Sequence, residues 1–247
     1  MNLRCGLVSL VGLALSGCAP GSGAIDLEEA GDDASEALRE PVLADGEHPE
    51  VGIITSEKGY CTGTLVGRRT VLTAAHCFDF SSTTISMSAP PLGTFTITGK
   101  DGKKVSVPYH RARADAYIWE VGFDLGIAQL DSEISATSAT PATIAEEWVD
   151  SDDTLTVYGY GRSGPKCKTS GQLHKFKAEI AMPEGLWERV TCPGDSGGPY
   201  FETGTSEIVA TVKGDGLGVE WVADAVKHRD WILENIDASE WGELNEY

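Results

Sequence analysis

From residue 51 onward, short runs of β-branched and apolar residues alternate with polar turns, and the period is two rather than 3.6. Val51–Thr55, Thr62–Val66 and Thr70–Thr73 read as strands, with Gly67-Arg68-Arg69 as the turn before the third. Thr83–Met87, Thr94–Thr98 and Lys104–Val107 show the alternation of half-buried strands, and Pro90-Pro91, Gly99 and Asp101-Gly102 punctuate them. Leu125–Leu130 reads as a buried strand directly after Asp124. Ser132–Pro141 is small and polar, a crossing segment between two halves. Leu155–Tyr158, Leu173–Ile180, Glu207–Val212 and Val219–Ala223 supply the strands of the second half. One helix is expected, over Lys227–Ile236, with Val226, Trp231, Ile232 and Leu233 apolar. Many short strands and a single late helix predict an all-β sandwich or barrel fold.

The two ends do not follow this pattern. Arg4, the apolar Leu7–Leu15 and the sequence Leu15-Ser16-Gly17-Cys18 form a targeting segment over residues 1–18, too short to span a bilayer as a helix. Its end resembles a bacterial lipobox, which implies lipidation at Cys18; an ordinary signal peptide cleaved at small residues is the alternative. Ala19 rather than Asp follows, so nothing signals inner-membrane retention. Residues 19–40 are acidic, small and poor in aromatics, and read as a flexible tether that can include a pro-segment. A short amphipathic helix over Ile25–Leu38 is the other reading. Residues 41–236 carry the folded domain, and 237–247 form an acidic tail.

Composition narrows the partners. The 247 residues include 41% hydrophobic ones, enough for a sizeable core. The formal net charge of −19 argues against nucleic acid and anionic lipid surfaces. Membrane contact is therefore expected only through an anchor at Cys18.

Three segments carry candidate chemistry. Gly194-Asp195-Ser196-Gly197-Gly198-Pro199 places a serine in a loop whose glycines let backbone N–H groups approach a ligand. Thr73-Ala74-Ala75-His76-Cys77 offers a general base, and Asp124 heads an apolar run. A serine hydroxyl needs such a base within hydrogen-bond reach, and imidazole titrates near the working pH. The order His, Asp, Ser is one of the known arrangements of a catalytic triad. His48, His110, His174 and His228 lack such context and read as surface or loop residues. No histidine pair has metal-ligand spacing and no Cys-x-x-Cys occurs, so neither metal nor cofactor is expected.

With these residues in view, roughly Pro49–Ile236 resembles the chymotrypsin/trypsin-like serine endopeptidases of bacterial type. The resemblance implies two antiparallel Greek-key β-barrels with a C-terminal helix. It implies His76 as base, Asp124 as its orienting acid, Ser196 as nucleophile, and the N–H groups of Gly194 and Ser196 as the oxyanion hole. Four cysteines follow the leader and allow three connectivities. The resemblance implies Cys61–Cys77, and with it Cys167–Cys192; the second departs from the family, where the cysteine before the serine pairs with a later one. The pocket would be lined by Val190, Thr191, Thr211, Lys213 and Glu220. Val190 stands where an aspartate would select Arg and Lys, and Thr211 where a serine commonly supports the catalytic aspartate. Lys213 replaces a glycine at the pocket mouth, where it narrows the site or attracts acidic groups.

In the family a newly cut N-terminus salt-bridges to the residue that is Asp195 here. No aliphatic pair followed by Gly-Gly precedes the first strand; Arg39–Gly46 is the nearest stretch. The alternative is that Asp195 is held by local partners. The expected protein is thus an exported monomer acting on polypeptides, either a bacterial outer-membrane lipoprotein (periplasmic or surface-facing) or a secreted protein. Two rivals stay open: a non-catalytic binding or adhesion protein on a protease fold, and an esterase. The esterase elbow, Gly-x-Ser-x-Gly, belongs on a strand-to-helix turn in an alternating α/β chain, and this chain lacks those helices.

Overall fold

A computed structural model describes residues 42–78, 85–87, 91–115, 124–150, 153–162, 167, 175–181, 190–216 and 219–236, with the backbone alone for 85–87, 115, 176–181, 215–216 and 219–220. Cys18, the tether, the acidic tail, His174 and the first residues of two expected strands lie outside the described residues.

The first half is a closed barrel. Strands β2 (Val51–Ser56), β3 (Gly59–Leu65), β4 (Thr70–Ala74), β6 (Gly93–Thr98), β7 (Lys104–Asp115) and β8 (Leu125–Leu130) pair in the ring β2-β3-β4-β8-β7-β6, and β5 (Ile85–Met87) adds to β7. The second half is a sheet in the order β1-β11-β10-β12-β13-β14, built from β1 (Val42–Leu43), β11 (Phe176–Ala181), β10 (Thr154–Gly159), β12 (Pro199–Glu202), β13 (Glu207–Gly216) and β14 (Val219–Asp224). All pairings are antiparallel except β9 (Thr143–Ile144), which lies parallel to β13. Helix α1 (Arg229–Asn235) is shorter than the expected Lys227–Ile236, because the chain turns through residues 225–228 first. The Arg113 guanidinium of β7 donates to Asn235 Oδ1 at 2.8 Å and ties α1 to the barrel.

The expected crossing at 132–141 holds no strand, while β1, β9 and β12 are additions to the sequence reading. Strand β7 also runs well past Val107, to Asp115. His110, Arg111 and Arg113 interrupt its apolar pattern, yet Tyr109, Ala112 and Ala114 are fully buried and a bulge lies between Tyr109 and Arg111. The cross-strand partners on β6 and β8 override the local polarity here.

Burial explains where the site forms. Strands β4 and β8 are buried along their whole length. One face, with Val71, Ala128 and Leu130, packs inside the barrel against Phe95, Ile97 and Tyr109. The other, with Leu72, Leu125 and Ile127, packs against Tyr158, Phe201, Ile208 and Ile232 of the second half. Each such aliphatic side chain contributes about 1.5–3 kcal/mol on burial. The end of β4 and the start of β8 pair through Ala74 and Leu125, so the residues just beyond them meet at the junction of the halves.

Candidate active site

His76 leaves β4 on a single turn of 3-10 helix, Ala75–Phe78. Asp124 enters β8 with a φ of 126°, a conformation seldom adopted by residues with a Cβ. Its carbonyl accepts from the Ala75 N–H at 3.0 Å, and its Oδ1 accepts from the His76 N–H at 2.9 Å. The His76 Nδ1–H donates to Asp124 Oδ2 at 2.6 Å. A buried carboxylate costs several kcal/mol unless paired, and here both oxygens have donors. The aspartate side chain is 1% exposed and the imidazole 36%, so the pair is anchored inside and opens outward at the histidine.

The turn is clamped from two sides. Cys77 is bonded to Cys61 of β3, and the Ser56 hydroxyl donates to the Cys77 carbonyl at 2.7 Å. His76 and the two sulfurs offer ligand atoms within 4.8 Å of one another, but the sulfurs are joined in the disulfide and are not thiolates.

The Ser196 loop is stitched to the same barrel. Thr62 of β3 donates its N–H to the Ser196 carbonyl and its hydroxyl to the Gly194 carbonyl, each at 2.9 Å. The Thr62 Oγ1 also accepts from the Tyr160 N–H at 2.9 Å, so one buried threonine joins three segments. Cys77 Sγ lies 3.9 Å from the Ser196 carbonyl oxygen. At Gly197 the φ is +78° and a Cβ would collide with the Thr73 hydroxyl, so only glycine lets the loop lie this close to β4. The N–H groups of Asp195, Gly197 and Gly198 are all used, by Cys192, Val212 and Asp195 carbonyls respectively. Those of Gly194 and Ser196 find no protein acceptor among the described residues. The His76 ring and the Ser196 hydroxyl share no hydrogen bond among the described residues; such pairs commonly tighten when substrate binds.

Comparison with known proteins shows the family. The family pattern of trypsin matches residues 43–231, most of the chain. The chain belongs to the trypsin family. It is 31% identical over 171 residues to the glutamyl endopeptidase of Bacillus licheniformis, a match covering 62% of this chain and 48% of that protein, about half its length. It is 29% identical over 210 residues to the cercarial protease of Schistosoma mansoni, covering 73% and 76% of the two chains. Among solved structures, a mutant of human heparin binding protein superposes with a TM-score of 0.65 at 19% identity, covering 82% of this chain and 98% of that one. Neuropsin, a serine protease expressed in the limbic system of mouse brain, gives 0.60 at 16% identity, covering 80% and 98%. At these identities the structural likeness concerns the fold.

The Asp195 carboxylate is held by two backbone donors. Its Oδ1 accepts from the Gly161 N–H at 2.6 Å and its Oδ2 from the Cys192 N–H at 2.8 Å. A Cβ at Gly159 or Gly161 would collide with this carboxylate, so Gly159-Tyr160-Gly161 forms its cradle. Burial pushes the carboxyl up to about 6, against the lowering effect of the two N–H donors. Cys167 is bonded to Cys192 and holds the same corner.

The chain before β2 goes elsewhere. Strand β1 pairs with β11 at the surface, with Val42 59% and Leu43 54% exposed. Lys175, an unremarked residue of the sequence, is 1% exposed, and its carbonyl accepts from the Ala44 N–H just after β1. Its ammonium donates to the Glu47 and His48 carbonyls, each at 2.7 Å. Burial pulls this ammonium down to about 8, while Glu50, Asp45 and Glu47 oppose that shift. His48 is part of the same strap; its ring stacks on Phe201 and bonds to Glu50.

The expected pocket residues divide. Val190 is half-buried against the cluster of Leu155, Val157, Tyr200 and Val209, and Thr191 is buried beside it. Thr211 is fully buried between Pro199 and Ala223, and its Oγ1 has no hydrogen-bond partner among the described residues, Asp124 included. Lys213 is half-buried, and burial lowers its pKa while Asp124 raises it. Glu220 pairs with Asp215 along β13 and β14, and its side chain lies outside the described residues.

Proposed function

We propose that this protein is a serine endopeptidase that hydrolyses peptide bonds through an acyl-enzyme, with His76, Asp124 and Ser196 as its triad. The observation that carries the reading is the buried Asp124 bonded to His76 Nδ1, on a turn packed against the loop that bears Ser196. With Nδ1 engaged, Nε2 is the nitrogen left to take the Ser196 proton. The serine Oγ attacks the scissile carbonyl carbon, and its electron pair moves onto the carbonyl oxygen. The Gly194 and Ser196 N–H groups receive that oxyanion. The intermediate then collapses, His76 delivers its proton to the departing amine, and an ester to Ser196 remains. Water, deprotonated by the same imidazole, releases the acid. Asp124 keeps the proton on Nδ1 throughout and stabilises the imidazolium, as in the general template for such triads.

Preorganised oxyanion donors of this kind are worth about 10²–10³ in rate each. Asp195 is the positioning group for them, because its carboxylate fixes the Cys192–Ser196 loop without an inserted N-terminus. A fluorophosphonate should label the wild type and not Ser196→Ala, and peptide turnover in that variant should fall by about 10⁵–10⁶. Failure of the wild type to label would instead favour a binding protein on this fold. Export and anchoring remain a reading of the Leu15-Ser16-Gly17-Cys18 sequence, which two disulfides in the folded domain suit.

A further inference from the structure

Three chain segments meet at the end of the second sheet, beside the Asp195 cradle. The register pairs Leu43 with Phe176 and Phe176 with Gly159, so Lys175 stands between the 44–48 turn and Tyr160. The backbone fastens it to the turn: its carbonyl accepts from the Ala44 N–H at 2.8 Å, and its N–H donates to Asp45 Oδ1 at 3.1 Å. The side chain joins the turn to Tyr160. Its ammonium donates to the Glu47 and His48 carbonyls and lies 5.7 Å from the centroid of the Tyr160 ring. At that distance a cation is attracted to an aromatic face. Lys175 is 1% exposed and Tyr160 6%, so water does little to screen the contact.

Tyr160 is the middle of the Asp195 cradle. Its N–H donates to Thr62 Oγ1 at 2.9 Å, and the glycines on either side of it wall in the carboxylate. The Gly161 N–H, one residue on, donates to Asp195 Oδ1 at 2.6 Å. The ring of Tyr160 thus meets the lysine, while its backbone belongs to the segment that holds Asp195. In a close-packed interior, fixing the ring fixes where that backbone sits, and with it the direction of the Gly161 N–H. Asp45, Glu47 and Glu50 favour the charged lysine from the side of the turn. With its pKa at about 8, the ammonium keeps its charge at neutral pH.

We propose that Lys175 is a positioning residue for the Ser196 loop: it pins Tyr160 against the 44–48 turn, and Tyr160 sets the Gly161 N–H that holds Asp195. The inference rests on the proposed peptidase site and adds a control point that touches neither substrate nor triad. Docking of the 44–48 turn onto Lys175 would then be a condition for a well-shaped nucleophile loop.

The test measures fluorophosphonate labelling and peptide turnover in Lys175→Met, Tyr160→Leu, Tyr160→Phe and the double variant Lys175→Met/Tyr160→Leu, where circular dichroism shows each to be folded. Lys175→Met should label roughly tenfold more slowly, the scale of a desolvated cation–aromatic contact. The loss should fall on kcat, with KM little changed. Tyr160→Leu should slow labelling to a similar extent, and Tyr160→Phe, which keeps the ring face, clearly less. The double variant should be no slower than the slower single one, because both changes remove the same link. Additive losses, wild-type labelling by Lys175→Met, or Tyr160→Phe as slow as Tyr160→Leu would each overturn the proposal. Amide exchange gives a readout independent of turnover. In Lys175→Met the Gly161 and Cys192 N–H groups should exchange faster, while Leu125–Leu130 keeps its wild-type protection. Unchanged exchange at Gly161 and Cys192 would refute the coupling. A wild type that escapes labelling while those two amides respond to Lys175→Met would instead refute the peptidase and leave the coupling standing.

Discussion

Asp195 shows how much a single carboxylate can carry. Two backbone N–H groups hold it, and the enclosure raises its pKa to about 6 from an ordinary 3.8. The folded state therefore keeps this proton to higher pH than the unfolded chain does. The stability gained from it is complete below about pH 4 and is lost as pH rises through about 6. Urea unfolding of wild type and Asp195→Ala should accordingly differ most near pH 4, with the gap narrowing toward about pH 7. A constant or widening gap would contradict the assignment. The three proposed triad residues were legible because each sits in a short motif whose residue types have few other uses together. Thr62 was not legible. A threonine in a strand is ordinary, and only the fold brings Gly194, Tyr160 and Ser196 to its two polar atoms and its N–H. Thr211 marks the opposite limit, since its position was read correctly within a strand but its hydroxyl makes no bond among the described residues.

Among the elements, β1 and the turn after it depend on Lys175, which stands just before β11. Lys175 satisfies two carbonyls of the 47–48 turn, and its own backbone N–H bonds to Asp45 Oδ1 at 3.1 Å. Lys175→Met would keep the stem and remove the donors, leaving the Glu47 and His48 carbonyls unpaired. A loss of about 2–4 kcal/mol is expected. Amide exchange should quicken first at residues 44–50, while β2–β4 stay protected. Uniform acceleration across the barrel would mean that the strap is not a separate unit. Such an element escapes sequence reading because Val42–Leu43 is two residues long and exposed, with no alternation to see. β8 is the contrary case: an apolar run buried on both faces, whose boundaries were visible from its composition alone.

At the scale of the whole molecule, charge sets a field over the surface. A chain with a formal net charge of −19 repels acidic ligands at long range. Salt screens that field, since the Debye length falls from about 30 Å at 0.01 M to about 8 Å at 0.15 M. Over that range kcat/KM for a Glu-containing peptide should rise, and that for a Lys-rich peptide should fall, in stopped assays at fixed pH. A fall for both would show that the net charge does not govern approach. Asp195 draws its donors from Gly161 and Cys192, and β1 lies along the outer surface. On the proposed reading no free amine would have to be released and tucked inside, so the catalyst could stay tied to a support, or be displayed behind a fusion partner, and still keep its working loop in shape.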